Sequence, residues 1–403
     1  MDTLSILAKA KLHLGTDWKI ELVHYDEKRD VVDLYLSYVG TSYTCPETGQ
    51  KAVLDDHRKQ RVWRHLDVFR SQCYIHCRVP RVRCSSGKVK SIQVPWADTI
   101  HRFTTHFEYW AIDVLLANGN QYKTAQLLRC GAHTISRIMH RAVERGWTRR
   151  SLQELHHLSI DEKAYKRRHH YATVVSDPET GFVLDLIHGR HQKATQTILN
   201  RLVPGHQKPL VQTITTDMWH VYVRLAKELL PDAFLIHDRF HLIKYLNRAI
   251  DAVRRREVQH HAVLKNSRFA LWKNPENRTE KQDILFEAIQ QANLQASKAW
   301  KCREDFKAIF HTREIIQAKE RLTSWLDQVK ATGIQEVMEV AKMFQRHLDG
   351  IIHALVFKQS NARAERINGK IQQIKTVARG YRKFENFRSA VLFFCGGLKL
   401  YPH

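Results

Sequence analysis

The chain has 403 residues, and 65 lysines and arginines against 41 acidic residues give a formal net charge of +24. At about 100–200 residues per domain this length indicates two or three folding units, and a hydrophobic content of 43% gives each a core, which excludes disorder as the main state. There is no run of about 18 uncharged apolar residues and no signal-peptide pattern, so we expect an intracellular protein without a membrane span.

The positive charge favours a polyanionic partner. Inside a cell the usual polyanion is nucleic acid, and the alternative is a surface that is merely basic. Seven cysteines, an odd number scattered along a long chain, are typical of reduced thiols rather than of a disulfide framework.

The N-terminal region reads as a β module followed by helices. Between Glu21 and Cys84 short segments alternate apolar and polar residues around turn residues, which predicts a small β structure. Residues 124–138 contain a short helix, a glycine-bearing turn and a second helix, the layout of a helix-turn-helix motif. The exposed face of the second helix supplies candidate DNA contacts, namely Ser136, Arg137, His140 and Arg141.

Beyond Arg150 the pattern changes to that of an α/β unit. Three strand-like runs precede alternating helices and strands, which predicts a mixed sheet covered by helices. From Glu257 to His353 only amphipathic helical patterns occur, so a helical insertion is expected, because a structureless connection of this length would be unusual. A helical pattern returns from Ser360 to Leu392.

Three aspartates follow predicted strands. Asp161 closes an apolar strand, and Asp217 and Asp238 end two later strands. Converging carboxylates repel unless a cation lies between them, and Mg²⁺ prefers such oxygen ligands. Taken singly, each aspartate could instead cap a helix, begin a turn or pair with a neighbouring cation.

Glu365 is the only acidic residue between Gly350 and Phe384. It lies in a predicted amphipathic helix with apolar residues at helical spacing and a basic exposed face. Glu365 could complete a metal site beside a bound phosphodiester, or it could be a local ion-pair partner. Two metal ions at such a site would support in-line phosphoryl displacement, the reaction of DNA strand cleavage and transfer. The phosphate-binding candidates on this helix are Arg363, Arg366 and Lys370.

Four blocks in this order resemble the ISL-three family of bacterial insertion-sequence transposases, and the resemblance covers essentially the whole chain. The blocks are Ser159 to Glu162, Thr216 to Trp219, His237 to His241 and Ser360 to Asn368.

The resemblance implies an α/β multidomain chain with an RNase H-like catalytic core. Its DDE triad maps onto Asp161, Asp217 and Glu365, which would bind Mg²⁺ or Mn²⁺. Asp238, with His237 and His241, matches a family block outside the triad. We expect these three to support the active site or contact the DNA end, and half a zinc site is the alternative.

The implied domains are a zinc-ribbon-like β module, a helix-turn-helix, a catalytic core in two parts and an all-helical insertion between them. Their expected bounds are 1–98 for the β module, 99–150 for the helix-turn-helix, 151–256 for the first part of the core, 257–353 for the insertion and 354–403 for the C-terminal part carrying Glu365.

The β module departs from the family pattern of paired Cys-x-x-Cys. Thr48 stands where Cys45 should have its partner, and Cys84 has also lost its partner. Cys73 and Cys77 could supply the missing zinc ligands only if their strand bends, since neighbouring positions of a strand alternate faces. Apolar packing could instead maintain the ribbon's shape, and the residues expected in that core are Val53, Val62, Trp63, Leu66, Val68 and Phe69.

The function implied by the resemblance is recognition of an element's terminal inverted repeats, cleavage there and transfer of the 3′-hydroxyl strands to target DNA. Its partner would be double-stranded DNA, bound by a homodimer or larger assembly in the bacterial cytoplasm at the nucleoid. Two alternatives remain: a catalytically inactive DNA-binding regulator, and a nuclease that cuts without joining.

Overall fold

The computed structural model describes residues 3–98, 100–151, 154–166, 170–357 and 361–402, with side chains from residue 6 onward except in 361–365. The chain forms two compact units, one of residues 1–150 with 398–403 and the other of residues 151–397. Within the described ranges no helix is long and apolar enough to cross a membrane.

Two four-stranded sheets make up the β part of the first unit, with strand orders β1-β2-β6-β5 and β3-β4-β7-β8. Trp63 and Trp96 lie edge to face in the core of this part, and Trp18 packs against Trp96 in the same way. The strands are β1 (Trp18–Asp26), β2 (Val31–Tyr38), β3 (Tyr43–Thr44), β4 (Lys51–His57), β5 (Arg61–Val68), β6 (Ser71–Cys77), β7 (Pro80–Arg83) and β8 (Val89–Ser91).

The helices of the first unit are α1 (Thr3–Lys11), α2 (Thr105–Asn118), α3 (Gln121–Leu127) and α4 (Ala132–Thr148). The hydroxyl of Thr104 accepts a hydrogen bond from the Phe107 amide and so caps the start of α2. Helix α4 buries one apolar stripe that includes Ile135, Ile138 and Met139, so its opposite side carries the polar residues.

The predicted core of the β module is partly wrong. Trp63 is fully buried, but the side chain of Val53 is 73% exposed and that of Phe69 is 94% exposed. Phe69 lies in the two-residue turn between β5 and β6, where the chain reverses and no second layer covers it.

The expectation of reduced thiols is wrong for two of the seven cysteines. Cys45 and Cys84 form a disulfide, with their Cα atoms 5.5 Å apart. Each begins a tight turn, because the Cys45 carbonyl accepts from the Gly49 amide and the Cys84 carbonyl accepts from the Gly87 amide. The two turns that would each carry a pair of zinc ligands in a ribbon therefore face each other and are joined covalently.

Cys73 and Cys77 do not join this pair. Both lie in β6, which belongs to the other sheet, and they point into the apolar core because β6 is regular. Burial raises the pKa of both thiols to about 12. Among the described side chains no cluster of three or more His, Cys, Asp or Glu is arranged to hold a metal ion, so the proposed four-cysteine zinc set is not assembled.

The second unit contains a five-stranded mixed sheet in the order β11-β10-β9-β12-β13. Strands β9, β10 and β11 pair antiparallel in sequence, whereas β12 and β13 run parallel to β9. The strands are β9 (His157–Lys166), β10 (His170–Asp177), β11 (Phe182–His188), β12 (Thr213–Thr216) and β13 (Phe234–His237).

Helices flank this sheet and form the long connection to the C-terminal part, in which residues 257–353 are helical and loop structure without a strand. The helices before and within the insertion are α5 (Gln192–Leu202), α6 (His220–Leu229), α7 (Arg239–Glu257), α8 (Arg268–Trp272), α9 (Glu280–Gln291), α10 (Gln295–Ile309), α11 (Ile315–Ala331), α12 (Gln335–Arg346) and α13 (Leu348–Val356). Helices α14 (Asn361–Val377) and α15 (Phe384–Cys395) follow.

The insertion has an aromatic core of its own around Phe306, Trp325 and Phe344. The guanidinium of Arg303 is buried beside it and donates hydrogen bonds to Asn247 of α7 and to the Leu271 carbonyl. Glu304, 2.7 Å away, compensates the charge of Arg303, and the hydrogen bonds satisfy its remaining donors and fasten the insertion to α7.

The assignment of 354–403 to the catalytic core is not correct for its last six residues, which pack with the first unit. The Tyr401 hydroxyl donates to Asp113 at 2.7 Å, and Arg149 donates to the Tyr401 carbonyl at 2.8 Å. Tyr401 also stacks on Tyr109. Nothing in the sequence pattern of this short segment indicated these partners, which lie more than 250 residues away.

We predict that protein purified without reductant exposes five thiols rather than seven when it is unfolded, because Cys45 and Cys84 are joined. Replacing both with serine should destabilise the first unit by about 2–4 kcal/mol, since the loop that they close is no longer constrained in the unfolded chain. Thiol titration and thermal unfolding measure the two effects. The double variant Cys73→Ser, Cys77→Ser is the control for thiol number, and a count of seven in the parent would contradict the pairing.

Candidate active site

The register of three neighbouring strands places three aspartates at one level of the sheet. Ile160 of β9 is paired with Thr216 of β12, and Thr216 is paired with His237 of β13, all in parallel register. Each of these three residues is followed in the chain by an aspartate: Asp161 after Ile160, Asp217 after Thr216 and Asp238 after His237. Because paired strands lie about 4.8 Å apart, the three carboxyl groups converge at one edge of the sheet.

Asp161 differs from its expected position in one respect. It does not close its strand, since β9 continues to Lys166 and pairs with β10 through this region. Asp161 is still accessible because its other neighbour, β12, ends at Thr216. The side chain of Asp161 is therefore accessible because the neighbouring strand β12 ends there, and not because β9 does.

A cavity of about 680 Å³ lies over these aspartates. Acidic, basic and aromatic side chains line it together, which is the chemistry expected where a phosphodiester and its counter-ions bind. The lining residues beyond the three aspartates are Glu162, Lys163, Arg190, Trp219, Phe240, His241, Lys244, Tyr245, Arg248 and Asn368.

Burial and mutual repulsion disfavour the ionised aspartates. The pKa of Asp217 is raised mainly by burial and further by the charge of Asp161, although the Trp219 amide and His241 partly oppose the shift. The pKa of Asp238 is raised for the same first reason, and Asp161 again adds to it. Such carboxylates gain from a nearby cation.

Positively charged side chains of the protein partly balance the negative charge of the three aspartates. The Lys163 ammonium lies 2.7 Å from a carboxylate oxygen of Asp161, and His241 lowers the pKa of both other aspartates by its charge. Asp217 and Asp238 each also accept a backbone amide two residues ahead, at 2.9 and 2.8 Å. Asp238 thereby caps the start of α7. Helix capping, which the sequence offered as an alternative to convergence at a shared site, therefore occurs at Asp238 together with that convergence.

His237 and His241 lie in different surroundings. His241 lines the cavity from the first turn of α7. His237 is 1% exposed and packs against Gly350 of α13 and the ring of His347, and burial lowers its pKa to about 4. A Cβ at residue 350 would lie 2.6 Å from the His237 ring, so only glycine permits this contact. His237 is therefore held neutral between β13 and α13, whereas His241 faces the cavity.

Helix α14 borders the cavity through Asn368. Ile367, Ile371 and Ile374 are buried, which confirms the apolar stripe predicted for this helix. Lys375 donates a hydrogen bond to the Ala164 carbonyl of β9 at 2.8 Å and fixes the helix along that strand. Glu365 lies three residues, about one turn, before Asn368 in the same helix, and its side chain is outside the described part, as is that of Arg363.

Several cavity residues were missed from the sequence. Lys244, Tyr245 and Arg248 share one face of α7 with His241, which the sequence had indicated, and their spacing of three or four residues could have been read forward from it. Arg190 could not have been found in this way, because it lies after β11 and reaches the cavity through its ion pair with Glu162 and its position over the Trp219 ring.

The candidate DNA-contacting side chains of the helix-turn-helix differ in their exposure to solvent. His133 and Arg137 are exposed on α4, whereas Ser136 and His140 are half-buried. Arg141 is also half-buried and pairs with Asp98, with Glu108 close by. Arg366 and Lys370 are exposed on α14 of the second unit.

Comparison with known proteins identifies the family. Residues 158–391 match the model of ISL3-family DDE transposases, described as transposase. Residues 92–143 match the helix-turn-helix domain of transposase family ISL3, and residues 42–87 match the zinc-finger of the transposases of IS204, IS1001, IS1096 and IS1165.

Two curated relatives extend over most of the chain. The transposase of insertion sequence element IS1001 from Bordetella parapertussis is 25% identical over 365 residues, covering 88% of this chain and 89% of the relative. The transposase of IS1557 from Mycobacterium tuberculosis is 26% identical over 372 residues, covering 84% and 82%. Since the transposase model alone matches more than half of the residues, this chain belongs to the ISL3, or ISL-three, family of insertion-sequence transposases.

Proposed function

We propose that this transposase binds the terminal inverted repeats of its own insertion sequence, cleaves DNA there and transfers the 3′-hydroxyl strands to target DNA. The observation that carries the proposal is the shared register of β9, β12 and β13, which gathers Asp161, Asp217 and Asp238 beneath one cavity. A cavity that combines such acids with several cations suits a phosphodiester.

Asp161, Asp217 and Glu365 are proposed as the catalytic triad. The two aspartates lie on adjacent strands, and Glu365 is carried by a helix whose next turn reaches the same cavity through Asn368. The strand order β11-β10-β9-β12-β13, with three antiparallel strands followed by two parallel ones, supports an RNase H-like core interrupted by the helical insertion.

The donor set fits a hard divalent cation. Carboxylate oxygens are the ligands that Mg²⁺ and Mn²⁺ prefer, and Asp217, whose pKa is raised by burial and by the charge of Asp161, gains from such a cation. Asp161, Asp217 and Glu365 would hold Mg²⁺ or Mn²⁺, which would activate the attacking oxygen and stabilise the leaving one in an in-line displacement.

The surrounding residues are proposed to position the substrate. Lys163, Lys244 and Arg248 place positive charge along the cavity, where the backbone of a DNA strand would lie. Arg190 is held over Trp219 and paired with Glu162, so its guanidinium is fixed beside the cavity. Asp238 and His241 support the site, the first by capping α7 and the second by balancing the aspartate charges.

The first unit is proposed to select the DNA ends. Helix α4 offers exposed His133 and Arg137 on the face opposite its buried stripe, which is the arrangement used to read a major groove. Arg366 and Lys370, with Arg363, would contact phosphates from α14. Because transposition joins two ends, a homodimer or larger assembly on DNA is expected.

We predict that Asp161→Asn, Asp217→Asn and Glu365→Gln each reduce cleavage of an end-containing duplex by at least 100-fold, because each removes a metal-binding oxygen. Binding to the uncut duplex should change less than threefold. Cleavage gels and mobility shifts in Mg²⁺ measure both, with Glu179→Gln, an exposed acid in the β10–β11 turn, as the matched control. Near-normal cutting by one of the three variants would remove that residue from the triad.

A duplex that already carries a free 3′-hydroxyl end separates transposition from simple cleavage. The parent should join this pre-cut end to a target plasmid, since strand transfer needs no further cut. Cutting of intact ends without joining of pre-cut ends would identify a nuclease. End binding by the parent with neither reaction would identify a regulator.

We further predict that Asp217→Asn raises the melting temperature at neutral pH without added metal. Burial raises the pKa of Asp217, so its ionised form opposes folding. The parent is most stable below the pKa of this carboxyl in the unfolded chain, and it loses that stability as pH rises from there through the higher pKa of the folded state. Mg²⁺ should raise the melting temperature of the parent and much less that of the variant. A variant that melts well below the parent under the same conditions would contradict the account of buried repulsion.

Arg137→Ala should weaken end binding and make the log–log dependence of affinity on salt shallower by about 0.9, as expected for one lost phosphate contact. Its melting temperature should not change, because the side chain is exposed. Arg141→Ala is the contrasting variant: it should lower the melting temperature, since Arg141 pairs with Asp98 inside the unit. An unchanged salt slope for Arg137→Ala would exclude a phosphate contact there.

A further inference from the structure

The turn between β5 and β6 exposes the aromatic side chain that the sequence placed in the core. Val68 and Ser71 are the last paired residues of the hairpin, so Phe69 and Arg70 form a two-residue loop. Phe69 is 94% exposed, more than any other large apolar residue in the described part of the chain. Burial does not explain a phenylalanine at this position.

The backbone of this loop is strained. Phe69 has φ 50° and Arg70 has φ 76°, both in the left-handed region. Two-residue hairpin loops with this geometry usually contain Asn and Gly, because a bulky residue is disfavoured there. The loop therefore carries a side chain that opposes its own conformation, and strain of this kind is retained where the side chain serves a function.

The hairpin is fastened to the turn of the helix-turn-helix. The guanidinium of Arg129 donates hydrogen bonds to the Arg70 carbonyl and to the Asp67 carboxylate, and Gln72 donates to the Arg129 carbonyl at 2.9 Å. Arg129 itself lies in the turn between α3 and α4 with φ 48°. The loop is thus held beside the start of α4, the end of a recognition helix that enters the major groove.

The charge around the loop favours DNA. Asp67, the acid next to the loop, is paired with both Arg64 and Arg129, so its negative charge is neutralised within the protein. Arg70 adds an exposed positive charge, and His133 is exposed in the first turn of α4. An exposed ring flanked by arginines matches the apolar side chains that DNA-binding proteins insert at a base step while cations hold the adjacent phosphates.

We propose that the β5–β6 loop is a second DNA-contacting element, in which Phe69 inserts at a base step of the duplex next to the segment contacted by α4. Arg70 binds the adjacent phosphate, and Arg129 is the positioning residue that fixes the loop. This inference rests on the proposed recognition of DNA ends by the first unit. Insertion of Phe69 would make the affinity for DNA depend on how easily one base step unstacks. Contacts from α4 in the groove do not depend on this property of the DNA.

The test uses the full chain and duplexes containing the inverted repeat that flanks the coding sequence, with 2-aminopurine placed at successive positions. The parent should increase the fluorescence of the probe at one step, because an unstacked 2-aminopurine is brighter. Phe69→Ala should abolish that increase and weaken binding about tenfold, within the range measured for loss of an aromatic stacked on a base. Trp110→Leu, a half-exposed aromatic on α2, is the matched control and should change neither quantity.

Phe69→Gly separates DNA contact from folding. Glycine adopts a positive φ without strain, so this variant should melt no lower than the parent while losing the fluorescence signal and affinity as Phe69→Ala does. Arg70→Ala should make the salt dependence shallower by about 0.9, whereas Phe69→Ala should leave that slope unchanged.

The outcomes distinguish the two levels of inference. If the parent binds its repeat duplex and Phe69→Ala matches it in affinity and fluorescence, the loop does not contact DNA, although recognition by α4 stands. If Phe69→Ala changes the oligomeric state and not DNA binding, the loop is a protein contact and the inference is overturned. If the parent binds the repeat no better than a scrambled duplex, the proposed recognition of ends fails as well.

Discussion

The second unit, residues 151–397, depends on the pairing of β12 with the strands on either side of it. Thr216 is aligned with Ile160 on one side and with His237 on the other, and this alignment alone decides that three aspartates from distant parts of the chain share one level. Successive residues of a strand point to opposite faces, so a slip of one residue would turn one carboxylate away from the other two. Apolar strand residues such as Leu158 and Ile214, both fully buried, hold this register against the repulsion of the acids.

The positive charge of the chain serves two different purposes. Some arginines are structural: Arg303 is buried in the insertion, and Arg201 and Arg388 both pair with fully buried Asp185 of β11. Others are exposed, such as Arg137 on α4 and Arg366 on α14, and these are the ones that we propose to bind phosphates. A net charge read from composition cannot separate the two groups, because the separation depends on which acids the fold brings within reach.

Features set by local pattern were predictable from the sequence. They include the apolar stripe of α14, the helix-turn-helix and the aspartates that follow apolar runs. Each can be recognised from the spacing of apolar and polar residues within a single helix or strand, so residues close together in sequence suffice to indicate it. The outcome at Asp161 shows the limit. The continuation of β9 past this residue depends on pairing with β10, whereas its accessibility depends on the shorter length of β12.

Features set by long-range pairing were not predictable. The joining of Cys45 to Cys84 needs two turns that are 39 residues apart in sequence to face each other. Phe69 has the composition of a core residue, and only the turn geometry of its hairpin excludes it from the core. Lys163, Arg190 and Asn368 reach the cavity from three separate elements, so no motif in one stretch of sequence contains them.

Residues 398–403 pack with the first unit although they follow the whole second unit in the chain. The partners of Asp113 and Arg149 are therefore translated only after the whole second unit, residues 151–397. A polypeptide cut short by a frameshift or an early stop codon lacks these contacts in its DNA-binding unit. Completion of the first unit is thereby coupled to translation of the second, so a shortened product has a first unit without these contacts.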